Sequence, residues 1–247
     1  MWFQAIPQSF NWVVKGQMVV DETVREWLGM VRFLQVSDIH GSVEMAGRIG
    51  RMAGKGFDAV IVAGDITHFG NPAQAEDILK RVAGGGVPVY FVAGNCDPKI
   101  LLTWQPSISG ITNIHGGYAS VSGVELLGLG GGNISPFNTL IEFTEEQFRD
   151  ILNGLNPRSG QAILVSHTPP YGTDIDYARG RHLGSNTIRE YVETVKPLAV
   201  CCGHIHEARG ITTIGRTTVI NAGPAKDGLC ASLTVESGGV EASLLRL

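Results

Sequence analysis

Five short segments of this chain carry side chains able to hold a metal ion: Ser37-Asp38-Ile39-His40-Gly41, Gly64-Asp65, Gly94-Asn95-Cys96-Asp97, Ser166-His167-Thr168 and Gly203-His204-Ile205-His206. Asp, Asn and His together supply oxygen and imidazole donors, a set suited to Mn, Fe, Zn, Co or Ni. The cysteines lack the spacing of a thiolate site, which disfavours a structural zinc finger. Asp38, His40, Asp65, Asn95, His167, His204 and His206 are about the number of ligands that two divalent cations roughly 3.5–4 Å apart would share, with one carboxylate bridging. Asp-x-His is expected to set both side chains on one side of an extended strand end. A glycine before Asp65, Asn95 and His204 lets the backbone turn sharply and come close to the ions. Such a pair of cations lowers the pKa of a shared water towards neutral and can neutralise developing negative charge, so the chemistry indicated is metal-assisted hydrolysis.

The elements that must position these residues are legible around them. Each cluster follows a short apolar run: Val31–Val36, Ala59–Ala63, 87–93, 161–166 and 198–202. Continuous runs of this length suit strands buried on both faces. Helical stretches alternate with them. One covers about 42–55, with Val43, Ala46, Ile49 and Met52 along one face, and another covers 72–84 behind the cap pair Asn71-Pro72. Strand–helix alternation implies a mostly parallel sheet, whose ligands gather at the carboxyl ends of the strands. Tyr118–Val121 and Val124–Leu129, joined by Ser122-Gly123, read as a hairpin. Thr144 and Gln147 form a capping box for a helix over 144–153, and Ser185 or Asn186 caps a further helix over 186–195. The tail from Gly210 offers three or four strands. Residues 30–247 thus read as a single domain. Residues 1–29 hold three of the four tryptophans (Trp2, Trp12 and Trp27) and are expected to be either a start-site artefact, with Met30 the natural start, or an arm packed on the domain.

Taken together and in order, these motifs resemble those of the calcineurin-like metallophosphoesterases over residues 31 to about 221. The resemblance implies a four-layer α/β/β/α sandwich, two mixed β-sheets flanked by helices. It places Asp38, His40, Asp65 and His206 on one metal and Asp65, Asn95, His167 and His204 on the other, with Mn the foremost of the possible ions. Catalysis falls to Asp65 and Asn95, with Asp97 orienting its neighbours by hydrogen bonds. One position departs from the family pattern: Cys96 stands where the family usually has a His thought to assist the leaving group. A thiol of ordinary pKa is a poor proton donor for that role. Gly-Asn-Cys-Asp is similar to a mainly bacterial and archaeal phosphodiesterase subgroup, so diesters are favoured over alkyl monoesters. A phosphomonoesterase or nucleotide phosphatase, or a catalytically silent interaction module on the same fold, are the alternatives.

His68 and His182 are candidates for the missing role and, with Cys96, for contact with substrate. The start of the helix after Ser185 could receive an anion through its free N–H groups. Arg179, Arg181 and Arg209 could meet phosphate, Tyr171 could stack on a base, and His115 reads as structural. The 247 residues carry a net charge of -4, with no basic surplus to grip a nucleic-acid backbone. The expected partner is a phosphate-ester small molecule or nucleotide-like substrate, with no stable nucleic acid, no membrane and a possible homo-oligomer. No apolar stretch reaches the ~18–20 residues of a membrane span. Cys96, Cys201, Cys202 and Cys230 read as buried thiols in a reducing, cytoplasmic setting.

Overall fold

The computed structural model describes residues 12–14, 17–19, 29–236 and 239–247. Two six-stranded mixed sheets lie face to face. The first is ordered β12-β11-β1-β2-β3-β4, where β1 is Val31–Val36, β2 Ala59–Ala63, β3 Val89–Val92, β4 Ile111–Asn113, β11 Leu229–Glu236 and β12 Gly239–Arg246. The second is ordered β9-β10-β8-β7-β6-β5, with β5 Tyr118–Val121, β6 Val124–Leu129, β7 Ala162–Ser166, β8 Ala199–Cys202, β9 Gly210–Ile214 and β10 Thr217–Asn221. In each sheet four neighbouring strands run parallel, and antiparallel strands finish the sheet. Helices α1 (Val43–Ala53) and α2 (Pro72–Val82) cover the first sheet, and α3 (Glu145–Asn153) and α4 (Asn186–Val195) the second.

The pleat explains the layering. Consecutive residues of a strand face opposite ways, so a run that is apolar throughout feeds two cores at once. Phe33, Ile61 and Ala63 point between the sheets against Ile163, Val165, Cys201 and Ile220. Leu34, Val60 and Val62 face Ala46, Ile49, Ile78 and Leu79 of the helices. Leu164 and Val200 face Phe148, Leu152, Ile188 and Val192 on the far side. Each buried Val, Leu, Ile or Phe among them contributes ~1.5–3 kcal/mol over exposure. The four-layer sandwich is therefore the observed architecture.

Local signals behave as their chemistry requires. Asn71 accepts from Gln74 N and Thr144 from Gln147 N, each inside a reciprocal capping box, and Ser185 accepts from Ile188 N. Three of the five strands begin later than their apolar runs, and β3 opens at Val89, since Pro88 has no N–H to give a ladder. The tail forms four strands, two of them eight residues long. All four cysteines are buried thiols. Strands Trp12–Val14 and Gln17–Val19 pair antiparallel. The expected packing of Trp2, Trp12 and Trp27 lies outside the described residues and side chains.

Candidate metal centre

The parallel ladders put the five clusters at one edge of the sandwich. Val36 stands opposite Val62 and Ala63 opposite Val92, so β1, β2 and β3 end side by side. Val165 opposes Cys201, aligning the ends of β7 and β8 in the other sheet. Backbone bonds stitch the loops that follow: His40 N donates to Asp65 O, and Gly203 N to His167 O.

The local geometry corrects one expectation. Asp38 and His40 converge through left-handed backbone, φ 55° and 48°, and an extended strand end plays no part. Asp65 (φ 50°) and His204 (φ 69°) share this conformation. Non-glycine residues adopt it rarely and at a cost, and such strain gathers at functional sites. The glycines before the ligand candidates are required by space. A Cβ on Gly94 would overlap Asp65 Oδ1, and one on Gly203 would overlap Ser37 Oγ.

Beside a group that His68 and Cys96 form with His40, two groups of donors result among the seven candidates. In one, His206 Nε2 lies 3.1 Å from Asp38 Oδ1 and 3.3 Å from His40 Nε2. In the other, Asp38, Asp65 and His167 bring single donor atoms within 4.8 Å of one another. Asp65 spans the two groups, its Oδ2 3.7 Å from His40 Nε2 and its Oδ1 3.6 Å from His167 Nε2. Asn95 Oδ1 reaches His167 Nε2 at 2.9 Å. His204 packs its ring on His167 (centroids 4.9 Å apart) and gives its backbone N–H to Asp38 Oδ2.

This donor set fits cations. His167 Nδ1 lies 2.8 Å from Ala63 O, and a carbonyl only accepts, so that nitrogen carries the proton. In the neutral ring Nε2 then offers a lone pair, facing the oxygens of Asn95 and Asp65 with no donor among the three. A divalent cation would satisfy the Nε2 lone pair and the Asn95 oxygen together, beside Asp65 Oδ1, which already accepts from Cys96 N.

Electrostatics point the same way. Burial, reinforced by the carboxylates of Asp38 and Asp97, pushes Asp65 up to about 7 against the pull of His167. Burial also acts to raise Asp38, but the His206 hydrogen bond and nearby imidazoles hold it below its ordinary value. Burial pushes His40 down to about 4 and His204 down to about 3, the lone-pair form that binds metal.

Other candidates fall into place around these. Asp97 is fully buried behind the floor and accepts from Gly94 N, Ile66 N, Thr67 N and Thr67 Oγ1. It locks the β2 and β3 loops together and acts through them. Cys96 lines the site, but burial pushes its thiol far up. Above the floor opens a cavity of about 810 Å³, lined by His40, His68, Cys96, His182, His204 and His206, with an apolar wall of Phe69, Ile134 and Phe137. Arg181 lines it, and Arg179 does so while paired to Glu207 at 3.1 Å. Arg209 is not a phosphate contact: its guanidinium donates to the carbonyls of Ala222, Cys230 and Leu245. The helix after Ser185 does not present free N–H groups to an anion, because Glu145 takes those of Asn186 and Thr187. Tyr171 flanks the His182 ring at 5.2 Å, and His115 accepts from Gly130 N and stacks on Phe143. Sequence reasoning missed Asp176, a fully buried carboxylate that holds His182 Nδ1 at 2.9 Å. Its only signal was its place six residues before a histidine.

The model of the calcineurin-like phosphoesterases matches residues 31–208. An uncharacterized protein of Methanocaldococcus jannaschii is 35% identical over 204 residues, 79% of this chain and 90% of its own length. Among solved structures, a Thermus thermophilus protein superposes with a TM-score of 0.65 at 16% identity, covering 87% of this chain and 98% of its own. A dimetal phosphatase from Danio rerio superposes at 0.58 with 13% identity, covering 87% and 98%. At these identities the structural likeness speaks for the fold. No described helix is long and apolar enough to cross a membrane.

Proposed function

Because this chain belongs to the calcineurin-like phosphoesterase family, we propose that it hydrolyses phosphodiesters at a site holding two divalent cations, manganese foremost. Asp38, His40, Asp65 and His206 would hold one, and Asp65, Asn95, His167 and His204 the other. Two such cations supply a nucleophile at neutral pH and neutralise charge on the phosphoryl oxygens. The single observation that carries this reading is Asp65, whose two oxygens face imidazoles delivered by different sheets.

The residues divide the remaining work. Asp97 fixes the loops bearing Asp65 and Asn95, which holds the ligands in place before substrate arrives. His68, His182 and Arg181 line the cavity where the ester's substituents would lie. Cys96, whose thiol stays protonated far above neutrality, favours diesters and activated esters over alkyl monoesters. Four buried thiols favour a reducing, cytoplasmic setting.

The test is hydrolysis of bis-p-nitrophenyl phosphate beside p-nitrophenyl phosphate, with metal-stripped protein and single cations restored. Cation-dependent diester cleavage in excess of monoester cleavage, lost in Asp65→Asn, is the expected result. Faster monoester cleavage would refute the diester preference alone, whereas bound cation with neither activity would favour the silent module.

A further inference from the structure

We propose that His182, held by Asp176, is the proton donor to the leaving-group oxygen, the task that the family's usual histidine would perform where this chain has Cys96. The proposal rests on the phosphoesterase reading and adds a catalytic residue and its positioning residue to it. Asp176 is fully buried, and its oxygens accept from Thr173 N, Thr173 Oγ1, Gly172 N and Gly184 N, at 2.7, 3.1, 3.2 and 3.0 Å. Both of its oxygens are thus committed as acceptors. The 2.9 Å contact with His182 therefore places a proton on Nδ1 and leaves Nε2 as the free ring nitrogen. That ring lines the same cavity as Asp65, Asn95 and His206, and it is part-exposed there.

The mount is rigid. Tyr177–Ala178 pairs antiparallel with Arg181–His182, and the rings of Tyr171 and Tyr177 stand 5.2 and 5.0 Å from the imidazole. Asn133 Nδ2 ties Leu183 O, at 3.0 Å, to the segment beside Asn95. The two rival donors crowd a metal-ligand candidate, each bringing a donor atom within 4.8 Å of His40. Cys96 Sγ is buried and faces the amide of Asn95, and His68 packs edge-on between His40 and Phe69. In the reaction a water oxygen bonds to phosphorus as the ester P–O bond breaks. The departing oxygen takes the proton from His182 Nε2 and leaves as an alcohol. The water's own proton passes to solvent, from which His182 is recharged, so protons balance and no electron is transferred.

A proton donor matters most when the leaving oxygen is a strong base. The experiment therefore compares methyl p-nitrophenyl phosphate with methyl phenyl phosphate, using manganese-loaded wild type, His182→Gln and Asp176→Asn. Both variants should lose about 10²-fold more rate on the phenyl ester than on the p-nitrophenyl ester, with cation content unchanged. Equal losses on the two esters, or no loss, would overturn the proposal. His182→Gln decides the matter if Asp176→Asn fails to fold, since His182 stands at the surface of the cavity. Wild type that cleaves neither ester while holding cations would refute the underlying phosphoesterase reading, and the proposal with it.

Discussion

His167 and His206 are both imidazoles delivered by the second sheet, and their surroundings differ sharply. The His167 side chain is 0% exposed, with one nitrogen on Ala63 O of the opposite sheet and the other on Asn95. That of His206 is 32% exposed, sits on a single turn, His206–Ala208, and has a carboxylate for its partner. The Asp38 hydrogen bond raises the pKa of His206, while burial drives that of His204, the ring beside His167, down to about 3. The buried half of the site is thus part of the core and stands ready in lone-pair form. At the open half the Asp38 hydrogen bond instead favours the protonated form of His206. A ligand inside the core serves stability and binding together, whereas one at the rim serves binding alone.

The sharpest test of that division is Gly94→Ala. Its Cβ would overlap Asp65 backbone as well as carboxylate, so stability should fall by about 3 kcal/mol and cation binding should vanish. An unchanged urea midpoint would break the claim that the buried half is packed to contact. Next comes a paired comparison in metal-free protein. His167→Ala should cost ~2–4 kcal/mol, by opening a cavity and orphaning Ala63 O, and His206→Ala under about 1 kcal/mol. Both should lower hydrolysis by ~10²-fold or more, so equal stabilities would erase the distinction. Chelation sharpens it further: at cation a hundredfold over its dissociation constant, bound ion adds about 2.7 kcal/mol. The melting shift on chelation should shrink in His206→Ala.

The smallest effect lies away from the cations, where Glu145 caps α4. Burial acts to raise its carboxyl, but hydrogen bonds from Ser185, Thr187 and Asn186 outweigh it and hold the pKa below 4.5. A depressed carboxylate contributes stability in full above its unfolded pKa and loses it as pH falls through the folded value. Glu145→Gln should therefore cost ~1 kcal/mol at pH 6 and progressively less below pH 4.5, read from urea midpoints.

Much of this was legible in the chain because short-range rules governed it. Apolar runs gave the buried strands, capping residues gave helix starts, and glycine marked each close approach, as at Gly64, Gly94 and Gly203. The convergence of the seven metal-ligand candidates followed from strands ending together. What the chain did not disclose depends on contacts between distant segments. Asp38 and His40 adopt left-handed backbone because loops from both sheets lock them, as in His204 N donating to Asp38. Arg209 was drawn away from phosphate by three carbonyls it meets only in the fold. Glu145 reached α4 across 41 residues, and Asp176 met His182 through a turn that no residue type announced.

Gln35 carries one last consequence. It lies on β1 among apolar neighbours, and its amide crosses the interface to the carbonyls of Cys202 and Ile220, just below the cation site. Together with His167 on Ala63 O, this makes the seam between the sheets polar at that edge and greasy elsewhere. Hydrogen bonds fix register where dispersion forces tolerate sliding. That edge is therefore the latch of the sandwich, and a cation drawing ligands from both leaves would act as its bolt. Amide exchange at the ends of β7 and β8 should slow on metal loading, while the far edge keeps its own rate.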